Sequence, residues 1–299
     1  MRIRTHGWRP PPVAPLLIMA LLAMVIPCFA EAETWVFHRS DIPLFPAVVK
    51  RLEALQKKEF VSCPIEKTSS SFIDSHPPRM AIALGDAGLQ RALTMTWDVP
   101  ILALFTEKPV TDRRVTEIEI AQPHQRQIEL LKKLSPDLET IWYPFVGEAF
   151  TPPATLGKAA AAARLRVIPD HLNDPRSLPK ALQNLQDRVT ATILPPDPGL
   201  MNDAIIRPIL LATFRSQTLV VGFSEGLVRQ GAAFAYVLTP ERLGEYLADI
   251  VARAEIDAAR LRDPLPPFDG WTLILNVTML DKLQLSPSAE VRNAAAKRY

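Results

Sequence analysis

The pentapeptide Gly222-Phe223-Ser224-Glu225-Gly226 fits G-x-S-x-G, the spacing that holds a nucleophilic serine on a strained strand-to-helix turn. Its flanks suit such a turn. Leu219-Val220-Val221 is a short apolar run, and Gly226-Leu227-Val228-Arg229 can open a helix. A serine nucleophile also needs a histidine base, and in α/β-hydrolases the chain order is Ser, acid, His. His6, His38, His76, His124 and His171 all precede Ser224, so that order is unattainable and only a permuted triad would serve. The competing reading is a loop at the carboxyl end of a parallel strand, where α/β proteins bind ligands. Ser224 is therefore expected to bind or cap, with exported serine hydrolysis kept as the minor alternative.

No other catalytic spacing stands out. Gly85-Asp86-Ala87-Gly88 supplies only G-x-x-G, and Gly147 to Lys158 ends in Gly-Lys with the wrong glycine spacing and Ala159 where Ser or Thr belongs. H-E-x-x-H is absent and the histidines lack metal-ligand spacing, so no metal, cofactor or enzymatic activity is expected. Glu117 and Glu119 alternate on a candidate strand and read as a solvated face. Asn276-Val277-Thr278 matches a glycosylation sequon.

The first 32 residues read as an export signal. Arg2, Arg4 and Arg9 precede an apolar run from Val13 to Ile26, and Ala30 and Ala32 follow as small cleavage residues. That run, about 14 residues, falls short of the ~20 that cross a bilayer. Pro27 stands before Cys28 where lipidation wants a small residue, so no lipid anchor is expected. Cleavage after Ala30 takes three arginines and no acid, and the formal charge falls from +2 to −1. A nearly neutral chain has no electrostatic claim on nucleic acid. Cys28 leaves with the signal, and Cys63 then has no partner for an internal disulfide.

About 268 residues remain to position a site, enough for one large domain or two lobes. Thr34–Phe37, Met80–Leu84 and Pro100–Phe105 read as strands, with helices over Phe45–Lys58 and Ala87–Thr94 between them. After about Gln122 the alternation restarts. Helices are expected over 127–134, 154–164, 178–185 and 201–215, the last kinked at Pro208. Strands are expected over 140–146, 166–168, 190–194 and 218–223. An extended segment over 234–238, a helix from Thr239 to about Arg262, a strand over 271–275 and a short helix capped by Asn276 finish the chain. Strand-helix alternation means parallel sheets with crossover helices. The fold class is thus α/β, in two lobes joined by a hinge: 33–121 with 237–263 returning to it, and 122–236 with 264–299 returning to it.

Five stretches, in order, resemble the ABC transporter substrate-binding proteins of the largely uncharacterised periplasmic type, which have a type I periplasmic binding fold. These are MAIALGDAGLQRAL, PILALFTEKP, PHQRQIELLKKLSPDLETIWYP, LVVGFSEGLVRQGAAFAYVLTPERLGEYLADI and LILNVTMLDKLQLSP, spanning Met80 to Pro287. The resemblance implies hinged capture of a small molecule between two lobes, delivery to an ABC permease in the inner membrane, a periplasmic location and a monomer. A sensing subunit of a membrane receptor is the alternative on the same fold. It also implies that the loop at Ser224 lies at the mouth between lobes, and that Asp197 matches a recurrent acid of the second lobe. The chain departs from the family where Gly85-Asp86 replaces the usual Gly-Thr or Gly-Ser turn, and where Pro144 to Glu148 replaces a polar one.

The rule that ligands bind outside the carboxyl ends of parallel strands nominates Ser40, Asp41, Asp86, Thr106, Tyr143, Asp197, Ser224 and Glu225. The acids among them suit an amine or other cationic group, unless Arg39, Lys108 or Arg229 neutralises them.

Overall fold

A computed structural model describes residues 34–299 apart from 56–59, 70, 72, 74–77, 107–108, 173–177, 186–190, 257–260 and 262–263. The expected export signal, Cys28, His6, His76 and Lys108 lie outside the described residues.

Two sheets organise the chain. The first has the order β2-β1-β3-β4-β5, built from β1 (Thr34–His38), β2 (Phe60–Pro64), β3 (Met80–Leu84), β4 (Ile101–Leu104) and β5 (Val115–Ile118), and all its pairings are parallel. Both faces of the central strands are buried, as a parallel sheet requires. Val36, Ile82, Leu84, Leu102 and Leu104 pack on one side with Val48, Val49 and Leu52 of α1 (Leu44–Leu55). Trp35, Phe37, Ala81, Ala83, Ile101 and Ala103 pack on the other with Leu89 and Ala92 of α2 (Gly85–Leu93).

The second sheet runs β12-β11-β10-β9-β8-β6-β7. Its parallel body is β6 (Thr140–Phe145), β7 (Arg166–His171), β8 (Ala191–Ile193), β9 (Leu219–Gly222) and β10 (Phe234–Val237). On one face lie α3 (His124–Leu134) and α4 (Ala154–Ala162). On the other lie α5 (Leu178–Leu185), α6 (Asp203–Arg215) and α7 (Glu225–Gln230). β11 (Thr272–Leu275) pairs antiparallel with β10. Two short helices, α9 (Val277–Lys282) and α10 (Ala289–Ala294), and β12 (Lys297–Arg298) on the edge complete this lobe.

The helix α8 (Pro240–Ile256) does not stay with the sheet before it. Its Leu243, Leu247, Ile250 and Val251 join the first lobe's core against α1. Only Leu238 and Thr239 separate β10 from α8. Because β10 ends at the carboxyl edge of its sheet, this short crossing brings that edge against the first lobe.

Several local expectations change. Phe60–Pro64, given no element in the sequence analysis, is an edge strand paired with β1 in parallel register, Val36 opposite Ser62. Its single alternation and terminal proline hide it in the sequence. α6 runs through Pro208 unbroken: Asn202 caps it by accepting from Ala204 N, and Ile205, Ile206 and Ile209 are buried on both sides of the proline. One missing backbone bond is offset by that packing. Asn276 is buried, its Nδ2 donating to Val228 O at 2.7 Å while Oδ1 caps α9, so the sequon is a structural cap and not a glycan acceptor. Among the described residues no helix is long and apolar enough to cross a membrane.

Candidate functional site

Parallel strands align their carboxyl ends, so each sheet has one edge where loops and helix starts gather. On the first lobe this edge holds His38–Asp41, Pro64–Glu66, Gly85–Asp86, Phe105–Thr106 and Ile118–Ile120. Gly85 has φ +79°, the left-handed conformation that lets β3 turn directly into α2. Phe105 is also left-handed, at φ +59°, and stacks on Phe45 with ring centroids 5.8 Å apart. A bulky residue in that region is strained, and strain of this kind collects at functional sites.

Polar groups on this edge are largely paired with one another. Ser40 donates from both N and Oγ to Glu66 at 3.3 Å. Asp41 is ion-paired with Arg39, whose hydrogen bond holds the carboxyl below its usual range. Thr106 Oγ1 donates to Glu117 Oε1 at 3.3 Å, and both line a hollow of about 520 Å³ with Phe105, Pro109 and Glu119. Asp86 is exposed in the first turn of α2. Asp41, Glu66, Asp86, Glu117 and Glu119 lie on or directly beside these five segments, against Arg39 and Lys67 among the described basic residues there, so acids outnumber bases on the edge.

The second lobe's edge is built around Asp197. This carboxylate is 1 % exposed and accepts from Val146 N at 2.6 Å, Gly147 N at 2.9 Å and Gly199 N at 2.8 Å. It therefore ties the loop after β6 to the loop after β8. Gly199 permits that closeness, since a Cβ there would stand 2.7 Å from Val146 Cβ. Tyr143, nominated for the pocket, is 3 % exposed in the core below, its hydroxyl pushed up to about 12 by burial and then by the Asp197 carboxylate. His171 stacks flat on Phe145 at 4.8 Å, donates from Nε2 to Val146 O at 2.9 Å and lies 3.7 Å from Glu148.

Ser224 is the N-cap of α7, its Oγ accepting from Leu227 N at 3.3 Å. The three described histidines are engaged elsewhere: His38 with Ser62 and Arg39 O, His124 with Gln127, His171 with Val146 O. Of the motif's glycines, Gly222 is closely packed, since a Cβ there would stand 3.0 Å from Leu227 Cβ, whereas one on Gly226 would meet nothing closer than 3.8 Å. Glu225 is gripped by the chain's last residues. Lys297 Nζ donates to it at 2.7 Å, the Tyr299 hydroxyl donates to it, and Arg229 reaches it at 2.7 Å. These bonds, Lys297 first, hold its carboxyl down to about 2.

Glu66, Glu148, His171, Lys297 and Tyr299 were not among the nominated residues. His171 was reachable, since the strand expected over 166–168 continues to it. Lys297 and Tyr299 carry no sequence signal, because β12 is two residues long.

The arrangement has no assembled nucleophile and base at Ser224, and among the described residues no three His, Cys, Asp or Glu side chains group to hold a metal. It offers two acid-bearing edges fed by loops, the first with a hollow beside it. No curated protein matches the chain. Its fold is similar to that of a ligand-free, open substrate-binding protein with adhesive properties from Clostridium difficile, at TM-score 0.70 and 16% identity over 89% of this chain and 98% of that one. It is also similar to an ABC domain in complex with L-Trp from Streptococcus pneumonia, at TM-score 0.61 and 16% identity over 90% and 99% of the two chains. A conserved domain protein from Vibrio cholerae aligns with TM-score 0.59 and 18% identity over 90% and 99%. At such identity these likenesses speak for the two-lobed fold. The family model described as ABC transporter substrate binding protein matches residues 92–298, well over half of the chain, and to that family this protein belongs.

Proposed function

We propose that the protein captures a small solute between its two lobes and presents the closed form to an ABC permease of the inner membrane, acting as a periplasmic monomer once residues 1–32 are removed. One observation carries the capture reading. The two-residue crossing from β10 to α8 leaves from the carboxyl edge of one sheet and enters the core of the other lobe. Loops at that edge can close on a ligand while both cores stay intact, which is the mechanics of hinged domains. Ser40, Asp41, Asp86, Thr106, Ser224 and Glu225 lie at the edges and are the proposed ligand-facing set, with Asp197 and Tyr143 supporting the second edge from below.

The acid excess on the first lobe favours a solute bearing an amine or other cationic group. Asp41, Glu66, Asp86, Glu117 and Glu119 would repel a ligand carboxylate placed against that lobe. Transport rather than catalysis fits the serine at the loop, whose hydroxyl is spent on a helix cap.

Thermal unfolding of residues 33–299 against amines, amino acids, aromatic acids, sugars and redox cofactors tests this reading. A ligand at 100 times its Kd adds about 2.7 kcal/mol, a shift of several degrees for a chain of this size. The expected hit is an amine or cationic solute. A flat panel at near-saturating concentrations would sink solute capture, and a purely anionic hit would sink the charge assignment.

A further inference from the structure

α6 is apolar on two faces, and the core of the second lobe uses only one of them. Ile205, Ile206 and Ile209 are buried against the sheet. Leu211 and Phe214, with the half-buried Leu210, make a second apolar face at helical spacing. Leu211 is 50 % and Phe214 41 % exposed, two of the three large apolar side chains left exposed among the described residues. A helix apolar over this much of its surface is ordinarily covered.

This second face lines a groove of about 590 Å³, a volume in the range of small-molecule sites. Gly231 and, from α9, Met279 and Lys282 complete it. α6 ends shortly before β9 starts and Gly231 lies shortly before β10 starts, so this end of the groove is at the amino edge of the parallel strands, opposite the loops of the candidate solute site. Two cations border the apolar surface. Arg207 is ion-paired with Asp203, one helical turn away, at 2.9 Å. Lys282 has no carboxylate in ion-pairing range among the described residues, and its Nζ stands over the Phe214 ring, 5.9 Å from the centroid. That contact draws the ammonium over the apolar lining and gives none of its three N–H donors an oxygen. Asp281, the neighbouring acid, does not line the groove.

We propose that this groove is a second ligand site, separate from the interlobe one, for an anionic amphiphile with a single alkyl chain, such as a medium-chain carboxylate. The chain lies on Leu210, Leu211, Phe214 and Met279, and the carboxylate accepts hydrogen bonds from Lys282 Nζ. The lining of α6 from Asp203 to Phe214 extends over about 16 Å of helix axis, which suits an extended chain. At the other end an anionic head would meet the Asp203 carboxylate, so the head belongs at Lys282. A cationic head would meet Lys282 at one end and Arg207 at the other. The chain's own leader is a poor occupant, because its apolar run follows Arg2, Arg4 and Arg9 and so carries the sign of the groove.

The test is a titration of methyl-¹³C-methionine-labelled protein with sodium octanoate, followed at the Met279 methyl signal, which the Met279→Leu variant assigns. Octanoate is taken to about 20 mM, well above the ~1 mM dissociation constant expected of an open groove with one charged contact. The Met279 signal is expected to saturate. Lys282→Gln should weaken binding by about fivefold or more, and Leu211→Asp, which sets a carboxylate on the apolar face from an exposed position, should remove it. Both variants should unfold at or near the wild-type temperature. n-Octylammonium should bind about tenfold more weakly than octanoate, or worse. No saturable change at Met279 would overturn the proposal, and so would octylammonium binding as tightly as octanoate. A change that persists undiminished in both variants would overturn it as well, because the probe would then bind elsewhere. None of these results depends on which solute the interlobe edges bind.

Discussion

Asp197 and Glu225 are both acids just past the ends of parallel strands, yet they are held in opposite ways. Asp197 is buried on three backbone N–H groups and braces two loops, whereas Glu225 is partly exposed, ion-paired with Lys297 and Arg229 and hydrogen-bonded by Tyr299. The second arrangement has a pH consequence. With Lys297 as the leading cause, the folded-state pKa of Glu225 falls to about 2, below the ~4.3 of an unfolded glutamate. A depressed pKa contributes stability that is fully present above the unfolded value and is lost as pH falls through the folded one. Glu225→Gln should therefore unfold at a lower temperature than the wild type at pH 7. The gap should narrow between about pH 4.5 and 2 and vanish below that. Melting curves of both proteins across that range check the sign; a gap independent of pH would mean the clamp is not electrostatic. Both acids were nominated from strand position, Asp197 also from the family resemblance. Their partners were not, because Val146 lies 51 positions from Asp197 and Tyr299 lies 74 from Glu225.

Elements meet closely only where glycine allows it. Gly88 in α2 faces the backbone of β1, and a Cβ there would stand 2.5 Å from Phe37 O. Gly157 in α4 has nothing within 4 Å. Gly88→Ala is expected to cost about 1–3 kcal/mol through a forced shift of helix against strand. Gly157→Ala is expected to gain about 0.5–1 kcal/mol from helix propensity. Urea unfolding of the two variants decides it, and equal effects would refute the packing argument. Most elements were legible. The apolar runs at Met80–Leu84 and Leu219–Gly222 and the helical spacing at Leu178–Leu185 mark themselves. β2, α10 and β12 did not, since short edge pieces draw their stability from a neighbour rather than from their own pattern.

At the scale of the molecule, the chain crosses between lobes with few residues to spare. The crossing from β10 to α8 has two residues, Leu238 and Thr239. Movement of the lobes must then come from backbone torsions at such crossings rather than from sliding of the packed cores. Binding of the solute found in the panel should lower the radius of gyration in small-angle X-ray scattering without changing the helix content seen by circular dichroism. An unchanged radius at saturation would mean that the lobes do not close.

By itself the sequence determined the α/β class and the restart of the pattern near Gln122, because periodicity is a property of neighbouring residues. It also put the candidate residues at strand ends. Tertiary structure decided what each one does: Tyr143 is core, Asp197 a brace, Ser224 a cap, and Glu225 a clamped ion. It decided too which side chains of α8, Leu243, Leu247 and Ile250, enter the first lobe's core. Those outcomes rest on contacts between residues distant in the chain, and one-dimensional spacing carries no information about which distant groups will share a hydrogen bond or a core.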